Sequence, residues 1–337
     1  MSAETSAIAG LRARGWAVDP GAVTVGLVLL GAAIFLLIGC LRSATFAQYT
    51  VQGIALGSVY GALALALVLV YRATHVINFA QGELAMLTTY IAYELMLKGL
   101  SYWAAFAATL AIAFVLGTLL QVTVIRPVQH SVIAVVIVTV GLFILIDGIV
   151  NWIWGGDFKS MPSPFGIDSF NLGGVVISHL YVGMVIVVLA SVVLVWALFR
   201  FTKLGLGMRA AALRPAAAAL VGVRVDTMLA IGWGLAAVLG AVAGLMAEPS
   251  QIFLSPTLMQ PILVYAFAAA VLGGLESPVG ALVGGLAIGV SLTLIVGYVP
   301  QNYIGTELQL PLAFAVLLLI LLVKPAGLFG RREVRRV

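Results

Sequence analysis

Charge is what this sequence has least of. Only 9% of its 337 residues are Asp, Glu, Lys or Arg, against about 25% in an average soluble domain. Cysteine is nearly absent: Cys40 stands alone, which excludes an intramolecular disulfide and a cysteine-based metal cluster. The three histidines, His75, His130 and His179, are scattered and lie near the ends of apolar runs, where interface packing accounts for them. Four lysines are present, and none follows Gly and precedes Ser or Thr, so the chain lacks the phosphate loop that cradles ATP. HExxH and GxSxG motifs are also missing, and no close carboxylate pair lies deep in one apolar run. These absences leave an enzyme without a nominated nucleophile or metal.

Apolar residues fill the gap. The chain is 63% hydrophobic, with a mean hydropathy of +1.19. Water cannot be the solvent for that composition. About 20 apolar residues make one helical span, and ten such segments can be read: 21–41, 47–70, 80–97, 102–125, 131–150, 180–199, 228–247, 258–275, 279–297 and 309–323. The expected class is an all-α polytopic membrane protein with about ten transmembrane helices. Leu37-Ile38-Gly39-Cys40 fits a lipobox, but the first run is long enough to be an uncleaved helix.

Lys and Arg set the expected orientation. With a cytoplasmic N-terminus the inner side receives Arg12, Arg14, Arg72, Arg126, the cluster between Arg200 and Arg224, Lys324, Arg331, Arg332, Arg335 and Arg336. The outer side receives only Arg42, Lys98 and Lys159. An even span count puts both basic termini on the cytoplasmic side. The net charge of +5 therefore reports topology, and no nucleic-acid partner is expected. The longest external connection, 151–178, begins with Trp152 and Trp154. It is either a plain connector or a contact for an external partner.

Three features interrupt the apolar pattern. The first is the basic stretch 200–226, with Arg200, Lys203, Arg209, Arg214 and Arg224 against a single acid, Asp226. Its alanines favour helix, which suggests a short helix held at the membrane surface. Pro is acceptable at a first helical position but not in a helix interior. The helix is therefore expected to start at Pro215, with 209–214 as its approach. The second feature is the polar run from Tyr71 to Glu83, where Asn78, Gln81 and Glu83 enter an apolar segment. Such residues face a bundle interior or water; they either cap the helix or serve the transport path or its gate. The third is a pair of Gly ladders, Gly53-Gly57-Gly61 and Gly280-Gly284 with Gly285-Gly289. Four-residue spacing suits close helix crossing; lining a path is the other reading. Glu248-Pro249 and Glu276-Ser277-Pro278 read as span boundaries.

Several stretches, in order, resemble one family. Gly57-Ser58-Val59-Tyr60-Gly61-Ala62-Leu63 is followed by Asn78-Phe79-Ala80-Gln81-Gly82-Glu83 and by Arg126-Pro127-Val128. Further on come Arg209-Ala210 through Val223, Ala270 through Ala281, and Lys324-Pro325-Ala326-Gly327-Leu328-Phe329-Gly330. Together, over about residues 48–337, they resemble the permeases of branched-chain amino-acid ABC importers, closer to the H-type subunit of the leucine/isoleucine/valine systems than to the M-type. The resemblance implies a half-transporter in the bacterial inner membrane. It would pair with a second permease, two ATP-binding subunits and an extracytoplasmic substrate-binding protein, within membrane lipid. ATP and Mg would sit on the partners, with no cofactor in this chain. A stand-alone secondary transporter or channel is the competing class, for which Glu83 could serve in ion coupling.

The same resemblance nominates residues. Gly57, Tyr60, Asn78, Gln81 and Glu83 become candidates for the translocation pathway. Arg209, Arg214, Pro215, Leu220, Gly222 and Arg224 become candidates for ATPase coupling. Two departures stand out. Residues 1–46 add a tail and an extra helix ahead of the permease domain at 47–337. Arg214-Pro215 replaces an acidic or amide residue followed by a polar one.

Overall fold

The computed structural model describes residues 20–298 except 167 and 252, together with 311, 314, 315, 318, 322 and 327–329. Most of these residues are helical. The first helix, α1 (Pro20–Arg42), is separated from α2 (Ala44–Thr74) by Ser43, whose hydroxyl accepts from the Phe46 N–H. Then follow α3 (Gln81–Leu97), α4 (Tyr102–Leu120) and α5 (Val132–Trp154). A π-turn at Gln121–Ile125 and a 3-10 turn at Arg126–Val128 extend α4. After α5 come a hairpin, β1 (Ser169–Leu172) and β2 (Val175–Ser178), and then α6 (His179–Phe201). Two short helices, α7 (Lys203–Leu213) and α8 (Pro215–Leu220), precede α9 (Val225–Ala247), α10 (Met259–Gly273) and α11 (Pro278–Tyr298).

Among the described residues, six helical segments are long and apolar enough to cross a membrane: Ala44–Thr74, Tyr102–Val128, Val132–Trp154, His179–Phe201, Val225–Ser250 and Pro278–Tyr298. The protein is a multi-pass membrane protein. Two shorter apolar helices, Leu29–Arg42 and Met259–Gly273, accompany them. Nine of the ten segments read from the sequence coincide with α1–α6 and α9–α11, counting the polar-entry helix α3. The tenth, 309–323, and the tail 1–19 lie largely or wholly outside the described residues.

Burial divides the helices into a centre and a periphery. In α2 and α9, 89% and 78% of the apolar window is buried; in α5 and α6 the figures are 22% and 17%. A transmembrane helix apolar on all faces can take either place, so small residues decide. The ladder on α2 meets the ladder on α11. A Cβ built on Gly57 would lie 2.8 Å from the Gly285 carbonyl oxygen and 2.9 Å from Leu286 Cα. The backbones approach too closely for any side chain: Gly53, Gly57 and Gly61 face Gly285 and Gly289 across this crossing, whereas Gly280 and Gly284 pack against Gly273 and Ala269 of α10. Peripheral α5 and α6 instead present Ile133, Ile144, Leu194 and Trp196 outward, as lipid-facing surfaces do.

The 151–178 connection holds structure that the sequence reading left open. Gly173 and Gly174, with φ of +61° and +90°, turn β1 into β2. Gln48 on α2 clamps this hairpin, donating from Nε2 to the Val176 carbonyl at 2.7 Å and accepting from the Val176 N–H at 2.9 Å. Farther up the same connection, Lys159 and Leu254 exchange both backbone hydrogen bonds. That bridge ties the loop to the turn between α9 and α10.

Candidate functional site

The polar entry between α2 and α3 folds back into the bundle. Helix α2 ends at His75, whose left-handed φ of 54° reverses the chain and whose N–H bonds the Tyr71 carbonyl at 2.6 Å. Val76, Asn78 and Ala80 are then buried, so the six-residue link climbs inward instead of running along a surface. Helix α3 starts inside the protein as a result. Its first residue, Gln81, donates from Nε2 to the Ala236 carbonyl at 3.0 Å. Ala236 lies at the midpoint of α9, so the cluster sits half way along a spanning helix. Gly240 makes the room: a Cβ there would be 2.8 Å from Gln81 Nε2.

Asn78 organises the break. Its Oδ1 accepts from the Ala80 N–H at 3.1 Å, and its Nδ2 donates to Gln81 Oε1 at 3.1 Å. The helix cap itself is Ala80, which makes no side-chain cap bond. Asn78 therefore holds the turn before the helix and the side chain of its first residue, rather than acting as the cap. Buried amides are retained where their bonds are made, and these two leave little unsatisfied.

Glu83 is different. It is fully buried, and neither carboxylate oxygen has a close hydrogen-bond partner among the described residues. Gln260 on α10 and Asp147 on α5 are the polar side chains that bear on it. An ionisable group in mid-bundle without a fixed partner is costly. Glu248 repeats the situation: it is buried in the 3-10 turn after α9, with Oε2 unpartnered. Its sequence context, Glu before Pro, reads as a span boundary and gives no sign of that burial. Gln260 and Asp147 were also not nominated, because their nearness to Glu83 comes from helix packing and not from sequence spacing.

The two remaining pathway candidates lie on α2. Tyr60 is buried and its ring centroid is 5.1 Å from that of Tyr265 on α10. Gly57 sits one turn away, in the α2–α11 crossing.

The coupling candidates form a separate arm. The stretch expected as an approach is itself helical: Thr202 caps α7, accepting from the Gly205 N–H at 3.1 Å. Arg209 donates from Nε to the Gly205 carbonyl at 3.3 Å. Pro215 occupies the start of α8, where its fixed φ and missing N–H cost nothing. Gly222, at φ +85°, ends the arm, with its N–H on the Ala219 carbonyl at 3.0 Å. Met208, Ala211 and Ala218 are buried and fix one face to the body. The tip is bare: Leu220 is 89% and Val221 79% exposed, flanked by exposed Arg214 and Arg224. Two large aliphatic side chains thus stand in the open between cations.

The family described as branched-chain amino acid transport system / permease component matches residues 49–321. The high-affinity branched-chain amino acid transport system permease protein LivH of Salmonella typhimurium is 30% identical over 87% of this chain and 98% of its own length. LivH of Escherichia coli K12 gives the same identity and coverage. So does BraD of Pseudomonas aeruginosa, which carries the same description. A solved chain of PsaBC from Streptococcus pneumoniae in complex with Fab covers 87% of this chain, at 17% identity and a TM-score of 0.46. A family match across most of the chain, with relatives aligned over nearly their whole length, establishes that the chain belongs to the branched-chain amino acid transport permease family.

Proposed function

We propose that this chain is the membrane half-transporter of an ATP-driven importer in a bacterial inner membrane, moving branched-chain or other hydrophobic amino acids by alternating access. A ten-helix count with both termini cytoplasmic belongs to the same reading, and rests on the basic-residue bias. The observation that carries the proposal is the separation of the two sites. One end bears an exposed apolar tip flanked by arginines, and the interior bears a polar break half way along the span. ATP and Mg belong to two partner subunits, whose acidic rims would meet Arg209, Arg214 and Arg224. Pro215, Leu220 and Gly222 shape the lever they push. A second permease completes the path, and an extracytoplasmic binding protein delivers substrate.

Gly57, Tyr60, Asn78, Gln81 and Glu83 serve the pathway. The discontinuous α2–α3 connection has the form by which transporters bring polar groups to mid-membrane. Glu83 is also the observation that favours a stand-alone secondary transporter, since an intramembrane carboxylate can couple to an ion.

Reconstitution distinguishes the two. The chain is purified with and without its partner subunits and placed in liposomes, and leucine uptake is measured with ATP and Mg supplied on the ATPase side. Uptake only with all partners and ATP is the expected result. Uptake by this chain alone, driven by an ion gradient without ATP, would overturn the importer reading.

A further inference from the structure

A cleft of about 300 Å³ lies between α2, α6, α7 and α11, beside the coupling arm. It is at the small end of ligand sites, which run to roughly 1,000 Å³. Its lining is sorted by depth. Along α2 the order is Leu65, Leu69, Arg72, and along α6 it is Val192, Trp196, Arg200. Each helix thus places its apolar side chains farther along the span and its arginine at the same end. Arg209, from α7, joins that end. Arg72, Arg200 and Arg209 form no ion pair among the described residues. Glu276, the carboxylate on the turn before Pro278, is exposed and likewise makes none.

The cleft is open at its side. Val193 and Trp196 on α6 and Val279 on α11 line it and are more than half exposed. They face outward, so the opening leads to the bilayer rather than to water. An occupant entering there needs an anionic group at the level of the arginines and an apolar part continuing along the span. Bulk anions fit only the first half of that description, and an apolar solute only the second.

We infer that this cleft binds one anionic phospholipid, with its phosphate held by Arg72 and Arg200 beside Arg209 and part of one acyl chain against Leu65, Leu69 and Trp196. The volume holds a segment of one chain, and the rest of the lipid stays in the bilayer. Charge complementarity and the depth ordering of the lining select the occupant. The position gives the lipid a consequence. It lies between the central helices α2 and α11 and the base of the arm, so it bridges the fixed and exposed parts of the molecule.

The test uses the full-length chain, purified in detergent and washed with micelles containing either phosphatidylglycerol or phosphatidylcholine. Bound lipid is counted by native mass spectrometry. One tightly held phosphatidylglycerol per chain is expected, with phosphatidylcholine retained at least about tenfold less. The double variant Arg72→Gln/Arg200→Gln removes two cations and lowers retention about thirtyfold, from roughly 1 kcal/mol per basic side chain at an anionic headgroup. Val279→Trp keeps every arginine and fills the apolar opening; it lowers retention by a similar factor, and its exposed position leaves the fold intact. Wild-type retention in Val279→Trp would reduce the effect to diffuse surface charge and overturn the site. Equal retention of both lipids in the wild type would overturn it as well. So would a Val279→Trp variant that holds lipid normally but no longer assembles with a second permease, because the cleft would then be a protein interface. None of these outcomes depends on transport activity, so the importer reading stands or falls separately.

Discussion

The interior break at 75–83 and the arm at 200–226 are two polar interruptions of an apolar chain, and they treat their polar groups in opposite ways. At the break, Asn78 and Gln81 are buried and bonded to each other and to the backbone, Gln81 reaching α9. On the arm, cations and large aliphatic residues stand in the open. Buried polar groups are expensive to disturb, because a lost partner leaves an unsatisfied atom out of reach of water. Exposed groups are cheap to change in the isolated chain and matter only when something docks on them. The proposed function therefore predicts two kinds of sensitivity: to folding and passage at the break, and to assembly and coupling at the arm.

The largest effect is expected on the arm. Leu220→Asp combined with Arg214→Glu places two negative charges where a docking surface offers an apolar tip and a cation. ATP hydrolysis by the assembled importer should lose its stimulation by substrate at least about tenfold, on the scale of hot-spot truncations of 2 kcal/mol or more. Thermal unfolding of the isolated permease should not move, since Leu220 is 89% exposed and surface changes stay within about 0.5 kcal/mol. A fall in stability with coupling intact would reverse the comparison.

Smaller but opposite shifts are expected at the break. Asn78→Ala leaves the Ala80 N–H and Gln81 Oε1 without their partner and should destabilise the chain by about 1–3 kcal/mol. Glu83→Gln removes an acid that has no close partner and should leave stability unchanged or raise it, because an unpaired buried charge costs more than a neutral amide. Both variants should assemble and both should transport more slowly. Thermal unfolding in detergent and leucine uptake by the reconstituted complex read the two effects separately. Wild-type uptake in both variants would make the break a purely structural turn.

How far the sequence anticipated these regions differs as well. The arm was legible because its signals are local: alanines, a proline that fits only a helix start, a terminal glycine and an excess of arginine. One detail escaped, the helicity of 203–213, since the two glycines in that stretch weaken the propensity signal. At the break, the presence of Asn78, Gln81 and Glu83 in an apolar run was legible, but their depth was not. Depth depends on His75 turning the chain back and on Gly240 leaving space on a helix about 160 residues away. The same holds for Gln260, Asp147 and Glu248, whose surroundings are assembled from distant helices. The hairpin had a usable signal in Leu172-Gly173-Gly174-Val175, a two-residue Gly-Gly turn between apolar neighbours.

The smallest expected effect concerns the ion pair that, among the described residues, links the arm's end to another helix. Arg126, just after the π-turn that extends α4, pairs through its guanidinium with the Asp226 carboxylate at the start of α9. Both side chains are about half exposed, at 51% and 47%, so solvent screens the attraction and the pair contributes only about 0–1 kcal/mol. A double-mutant cycle of Arg126→Ala and Asp226→Ala should give an interaction energy in that range from thermal or denaturant unfolding, shrinking in high salt. The arm is held more firmly by Met208, Ala211 and Ala218, which are buried, so substrate-stimulated ATP hydrolysis should change less than threefold in either single variant. An interaction energy of about 2 kcal/mol or more, or a coupling loss as large as that of the tip variant, would make the pair a clasp on the arm. The boundary drawn between a buried, structure-bearing break and an exposed, partner-bearing arm would then have to move to include Arg126.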